Sequence, residues 1–424
     1  MWIKRQDGYC LKEIAGIQYL LPYGQKVADQ KRGILLNDTG LFLWNELNAP
    51  MPDEELAEKL VQHYSATGEE AEEIRRDVKQ FVQELLTLGI LQECLNPICT
   101  DKTDDINCLY PTKEPLVGYL EIADMCIILY GSCELISHQF DAFFTEAQGE
   151  RKTQTKEPQS NVNAHEKLQS KMQIEILQTL PPFHPNGKTL IRNEELVVSE
   201  NEQGYIILFP SMNQIREAHM TVDGRFVQVY VKGWDKEKTQ EELFHAIRHF
   251  FLCFAQWQGF FALHSASILY RGQAWLFSGH SGMGKSTHTN LWKEQFGTEI
   301  INGDLNLIGW TENRQNQSKQ PIVYGMPWCG TSGIASTKSY PLGGIVLLGR
   351  ADANRFESLS QDQKIVRVMQ RMISPVWTED MLEANLKCAA QLSKQIPIYY
   401  LLCTKEPSAA QVMKTRIDQE EKQR

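Results

Sequence analysis

"LFSGHSGMGKSTHTNLW", Leu276 to Trp292, decides how the rest of this 424-residue chain is read. An apolar run enters a turn holding Gly279, Gly282 and Gly284, and the turn opens onto a helical stretch at Lys285-Ser286. Gly279, His280, Ser281, Gly282, Met283, Gly284, Lys285 and Ser286 satisfy G-x-x-x-x-G-K-[ST] at every constrained position. Glycines there let successive backbone N–H groups turn inward around an anion, and the helix that follows aims its positive end at the same point. In such a loop the lysine reaches the β- and γ-phosphates and the Ser hydroxyl ligates Mg²⁺. The strand before and helix after set the stretch apart from a structural turn that fits the pattern by accident.

A phosphate loop needs an acid to complete its metal site. In "TEIINGDLNLIGW", Asp304 is the carboxylate at the end of an apolar run, and a strand-end position suits Mg²⁺ bound directly or through water. A plain turn aspartate in an Asn-Gly-Asp loop is the competing reading. His264 in "ALHSASI" precedes the loop by one hairpin, which would bring its imidazole towards a γ-phosphate; a hydrogen-bonded core histidine is the alternative. "YGMPWCGTSGIAS", Tyr324 to Ser336, is rich in small polar residues beside Trp328. It reads as a substrate-facing loop carrying Trp328, Gly330, Thr331 and Ser332. Cys329 has no base or cation beside it in sequence and is not read as a nucleophile. Arg350, ending "GGIVLLGR", reads as a surface arginine, with charge neutralisation as the other option.

Composition narrows the partners. The formal net charge is −10 and no dense Lys/Arg run appears, which argues against nucleic acid. "MWIKRQDGYCLKEIAG" lacks the apolar stretch of a signal peptide. The greasiest segment, Phe244 to Tyr270, is interrupted by Arg248, His249, Gln256 and Gln258, so it is expected as a buried helix and not a membrane span. Ten cysteines without an export signal suit reduced thiols in a cytoplasm. Cys94, Cys99 and Cys108 lack C-x-x-C spacing and read as part of a linker.

The expected fold class is α/β (α+β): a large mixed-sheet domain behind a small winged-helix-like module. In the first 95 residues "YCLKEI", "IQYLLP" and "GILLN" read as three strands. Three helices follow: one capped at Asp38-Thr39, one starting at Pro52, and one carrying Ile74, Val78, Phe81, Val82 and Leu85 on a stripe that stops at Gly89. Glu69, Glu70, Glu72 and Glu73 crowd the start of the third helix, where a DNA-reading helix would meet phosphate. Residues 96–116 are expected as a linker, 117–405 as the large domain with a polar insertion at 146–171, and 406–424 as a polar tail.

"LHSASILYRGQAWLFSGHSGMGKST" followed by "INGDLNLI" resembles the catalytic half of the HPr kinase/phosphorylase group, which shares its P-loop fold with ATP-dependent phosphoenolpyruvate carboxykinase. The resemblance implies ATP phosphates on Gly279 to Thr287, Mg²⁺ on Ser286 and Asp304, and His264 assisting at the γ-phosphate alongside Lys285 and Asp304. That group shows two adjacent aspartates where this chain has Gly303-Asp304. The missing first acid is the usual proton acceptor, so Asp304, His264 or another group must take the proton.

"ILLNDTGLFLWNEL" with "ELAEKLVQHYSATGEEAEEIRRDVKQFVQELLTLGIL" resembles PqqD-like domains, the precursor-recognition elements of ribosomally made, modified peptides. It implies a leader peptide added as a strand beside Gly33, Ile34, Leu35 and Leu36 and lying against Arg75, Val78, Lys79 and Val82. Together the two resemblances imply a kinase that phosphorylates a Ser/Thr hydroxyl of a captured precursor peptide with ATP and Mg²⁺, with other peptide-modifying enzymes as further partners. A small-molecule kinase (of free serine, for instance) and a non-catalytic ATP-binding precursor chaperone are the alternatives.

Overall fold

The computed structural model describes residues 1–94, 114–147, 170–182, 187–312 and 319–421. These cluster into two compact units, the first holding residues 1–94 with Trp377–Glu379 and the second the remainder.

In the first unit β1 (Trp2–Arg5) lies between β5 (Met51–Pro52) and β6 (Leu91–Glu93), while β2 (Tyr9–Ile14), β3 (Ile17–Pro22) and β4 (Ile34–Leu36) form a second small sheet in that order. Ala15 and Gly16, at φ 53 and 80, make the two-residue turn between β2 and β3, the left-handed pair that matches strand twist. A short α1 (Gln25–Ala28) follows. The helix expected after Asp38-Thr39 is α2 (Asp38–Glu46), but its cap is Asn37, whose side chain accepts from Gly40 N at 2.8 Å. α3 (Asp53–Tyr64) starts after Pro52 with three acids in its first turn, and α4 (Glu69–Leu88) ends on Gly89 at φ 69. The α4 stripe meets Leu20, Leu36, Trp44, Leu56 and Leu60 in the core of this unit.

The second unit contains two sheets. The first runs β11 (Lys188–Arg192), β12 (Val197–Asn201), β13 (Gly204–Leu208), β14 (Ile215–Met220), β15 (Phe226–Val231), β10 (Ser170–Leu177), β8 (Met125–Tyr130), β7 (Leu116–Ile122), β9 (Phe144–Glu146). Next comes α5 (Lys236–Trp257), capped by Asp235. Phe244 to Tyr270, expected as one helix, is therefore two elements. Gly259 at φ 81 ends the helical path, and Phe261–Tyr270 continues as strand β16.

The second sheet follows β17 (Gln273–Ser278), β16, β19 (Leu305–Glu312), β20 (Lys319–Tyr324), β21 (Ser339–Arg350), β23 (Ile398–Cys403), β22 (Arg355–Glu357), with β18 (Glu299–Asn302) on β16. An added parallel pairing of β17 with β21 closes five of these strands into a ring. Helices α6 (Lys285–Phe296), α7 (Gln361–Met369), α8 (Glu379–Gln395) and α9 (Ser408–Glu421) complete the chain.

The expected polar tail is a correction: α9 buries Ala409, Ala410, Met413 and Ile417, an i, i+4 stripe that joins Trp275, Trp292 and Leu401 in the core. Of the expected linker and insertion, residues 96–113 and 148–169 lie outside the described residues. Among the described residues no helix is long and apolar enough to cross a membrane.

Candidate nucleotide site

The loop between β17 and α6 is built as its sequence demands. Gly282 and Gly284 take φ 71 and 102, which side-chain-bearing residues rarely adopt, and a β-carbon on either would find its nearest neighbour only at 4.0 Å. That leaves free space beside both glycines in front of α6, whose N-cap is Gly284 with no side-chain capping bond. Ser286 and Thr287 are exposed in its first turn, whereas Lys285 is 9% exposed. Lys285 Nζ donates to Gly279 O at 3.5 Å, and burial lowers its pKa, with Asp304 opposing and Arg371 adding to the fall. An uncapped helix start behind left-handed glycines is a suitable cradle for phosphate.

Asp304 follows β18, immediately before β19. Its Oδ1 lies 3.1 Å from His264 Nε2, on the neighbouring strand β16. The His264 hydrogen bond, with help from the charges of Lys285 and Arg248, holds the carboxyl below its ordinary range. The expected pair thus meets, and its geometry comes from residues that the sequence reading passed over. Asn302 Oδ1 accepts from the backbone N–H of Asp304 at 2.9 Å and of Leu305 at 3.0 Å, an Asx-type turn, while its Nδ2 donates to Met326 O at 3.2 Å. Ser278 Oγ donates to His264 O at 2.7 Å, and His264 N donates to Arg371 O at 2.9 Å. One Asp304 oxygen remains for a cation. With the Ser286 hydroxyl it offers hard oxygen donors of the kind Mg²⁺ takes together with phosphate and water.

The loop from Met326 to Ser332 divides against expectation. Gly330, Thr331 and Ser332 are exposed as a substrate-facing loop requires. Trp328 is not: it is 3% exposed, donates from Nε1 to Phe244 O at 2.8 Å, and packs on Phe140, Phe244 and Phe251. An indole flanked by small polar residues looks solvent-facing in sequence, but its large apolar area is worth more buried once its N–H has a partner. The same loop explains the departure at Gly303. A β-carbon built there collides with Ser332 Oγ, which is itself held by donation to Cys329 O at 2.7 Å.

Two arginines bond to the phosphate loop and the charge of a third acts on Asp304; the sequence singles out Arg350 alone among them. Arg350 donates to Gly282 O. Arg371 sets Nη1 3.0 Å from Nδ1 and Nη2 2.7 Å from Nε2 of His280, inside the loop. Arg248 comes from α5 with its pKa lowered by burial, against the pull of Asp304. Its neighbours His245 and His249 share one helix face with it at i, i+3, i+4. Burial, with the charge of Arg248, lowers both, and His249 is pushed down to about 3. Cys329 lies beside this region with its thiol pushed up by burial, as expected of a non-nucleophile.

In the first unit Leu35 is 58% exposed on β4, and among the described residues no strand pairs with the outer edge of β4. Gly33 is exposed, Ile34 is partly buried and Leu36 is buried. The helix side of the expected peptide cleft needs correction. Val78 and Val82 are 2% and 1% exposed, because the amphipathic stripe of α4 turns them into the core. Arg75 is bound to Glu58 at 2.7 Å and Glu72 at 2.6 Å, which leaves Lys79 as the exposed member of that set.

No curated protein sequence matches this chain. Among solved structures, the chain is similar to the Hpr(Ser) kinase/phosphatase from Coxiella burnetii, at 10% identity and a TM-score of 0.22, covering 38% of this chain and 97% of that one. Residues 27–91 match the family described as Coenzyme PQQ synthesis protein D (PqqD), so the N-terminal unit carries a PqqD domain.

Proposed function

We propose that this chain is an ATP-dependent kinase acting on a Ser or Thr hydroxyl of a ribosomally made precursor peptide, which its PqqD domain captures by the leader. One observation carries the reading: a buried lysine opens an uncapped helix behind left-handed glycines, and its charge acts on the carboxylate of a His264–Asp304 pair. In this reading Gly279 to Thr287 hold the triphosphate and Lys285 draws charge from its β- and γ-oxygens. Ser286 and Asp304 would hold Mg²⁺, which when bound would neutralise charge developing on the transferred group. The acceptor oxygen bonds to the γ-phosphorus as the bond to the β–γ bridging oxygen breaks, and ADP leaves. The hydroxyl proton passes to the His264–Asp304 pair, the titratable pair at hand where Gly303 supplies no second acid. A loose phosphoryl transfer depends mainly on positioning and charge, so one weak base suffices.

Ser332 filling the space of a second acid also supports a second reading, a nucleotide-dependent chaperone that presents the precursor to another enzyme. Incubation with γ-labelled ATP and the small peptide encoded beside the gene separates the two. The kinase labels the peptide, and Lys285→Ala lowers the rate about 100-fold or more. ATP-stimulated peptide retention without label would favour the chaperone, and a small-molecule kinase would label free serine with the N-terminal unit deleted.

A further inference from the structure

Of the three arginines considered above, two are already engaged: Arg350 on Gly282 O and Arg371 on His280. Arg248 is different. It is partly buried on α5, and among the described residues its guanidinium makes no hydrogen bond or ion pair, though the charges of Asp304 and Glu195 act on it. Withdrawing part of a guanidinium from water without a bonding partner is unfavourable, so a fold keeps one there when something else completes it. Its helix neighbours do not add charge, because burial and Arg248 itself keep His245 and His249 neutral near pH 7.

The surroundings say which part of the reaction Arg248 faces. One turn before it, Phe244 accepts the Trp328 indole N–H, and Phe244 and Phe251 pack on that ring. Two residues beyond Trp328, a β-carbon on Gly330 would stand 2.9 Å from Asp304 Cβ. Arg248 thus lies on the helix face that carries Trp328, whose loop runs on to the exposed Gly330–Ser332 segment beside Asp304, and its charge acts on that carboxylate. A planar fork with free donors fits a carboxylate in two-point fashion.

Resting on the kinase reading above, we infer that Arg248 anchors an acceptor subsite, and that the molecule phosphorylated carries a carboxylate close to its reacting hydroxyl. An acidic side chain next to the Ser or Thr and a free chain end following it offer the same chemistry.

The test uses the full chain and two pairs of capped serine peptides. One pair differs only in aspartate against asparagine after the serine, and the other ends in serine as free acid or amide. The carboxylate member of at least one pair is expected to show a KM about tenfold lower or more. Arg248→Met should erase that preference, raising the KM for the carboxylate member to that of its neutral partner, while Arg248→Lys restores part of it. Which pair responds tells the side-chain source from the chain end. Equal use of both members by the wild type, or an Arg248→Met defect confined to ATP, overturns the inference. If no peptide is turned over, the kinase reading fails, and equilibrium binding of the same pairs with the non-hydrolysable ATP analogue decides the subsite. Preferential binding of the carboxylate member, lost in Arg248→Met, upholds it; equal binding rejects it.

Discussion

His288 shows what a single buried group does to this molecule. It sits on α6, 3% exposed, with its ring 4.6 Å from that of Phe277 and no hydrogen-bond partner for Nε2. Burial pushes its pKa down to about 4 from 6.5. Between those two values the unfolded chain binds the proton and the folded one does not, so stability rises with pH across the window and is lost as pH falls from 6.5 towards 4. The loss is on the order of 3 kcal/mol at full protonation. Denaturant melts at pH 7 and pH 4.5 should show it, and His288→Phe should flatten the slope. An unchanged slope would put the acid sensitivity elsewhere. Asp304 acts in the same direction, in a lower pH window. Its depressed pKa gives a contribution present above the ordinary carboxylate range and lost only below it, and its 42% side-chain exposure keeps that contribution small.

At the scale of elements, the phosphate loop was legible because glycines, lysine and helix start are contiguous in the chain. The partners of that loop were not, because they arrive from distant strands. Asn302 stood in the Asn-Gly-Asp turn and was read only as turn chemistry, though its side chain ties Asp304 to Met326 O. Arg248 and His249 counted only as breaks in an apolar run. Their i, i+3, i+4 spacing with His245 was the available signal of a polar stripe on one face of α5. The α9 stripe of Ala409, Ala410, Met413 and Ile417 was overlooked because charged residues surround it. Trp328 failed by composition, its small polar neighbours hiding an aromatic anchor. Trp328→Ala is expected to cost about 3–5 kcal/mol and to loosen the Gly330–Ser332 segment against Asp304. Chemical denaturation measures the first effect, and a raised Mg²⁺ requirement of ATP binding would reveal the second. Wild-type values for both would show that the segment holds itself.

For the whole molecule, the first unit has its own apolar cluster, from Ile3 to Leu91, and the second has a separate one around Trp275, Trp292 and Leu401. Such units melt as individuals. Scanning calorimetry should resolve two transitions, and a non-hydrolysable ATP analogue with Mg²⁺ at a hundred times its Kd should raise only that of the larger unit, by about 2.7 kcal/mol of stabilisation. A single transition moving as one would contradict this. The strand and helix rhythm of the sequence carries the expectation of two units; the closure of the second sheet is not legible there, since it depends on β17 meeting β21 across more than sixty residues. That closure has a mechanical consequence. β17 is bonded on both flanks, to β16 and β21, so the strand from which Gly279 springs has no loose margin along which to slip. Shifting the root of the cradle would mean unzipping two ladders at once, so any give on nucleotide arrival must come from the far bank: the first turn of α6 and the glycines before it.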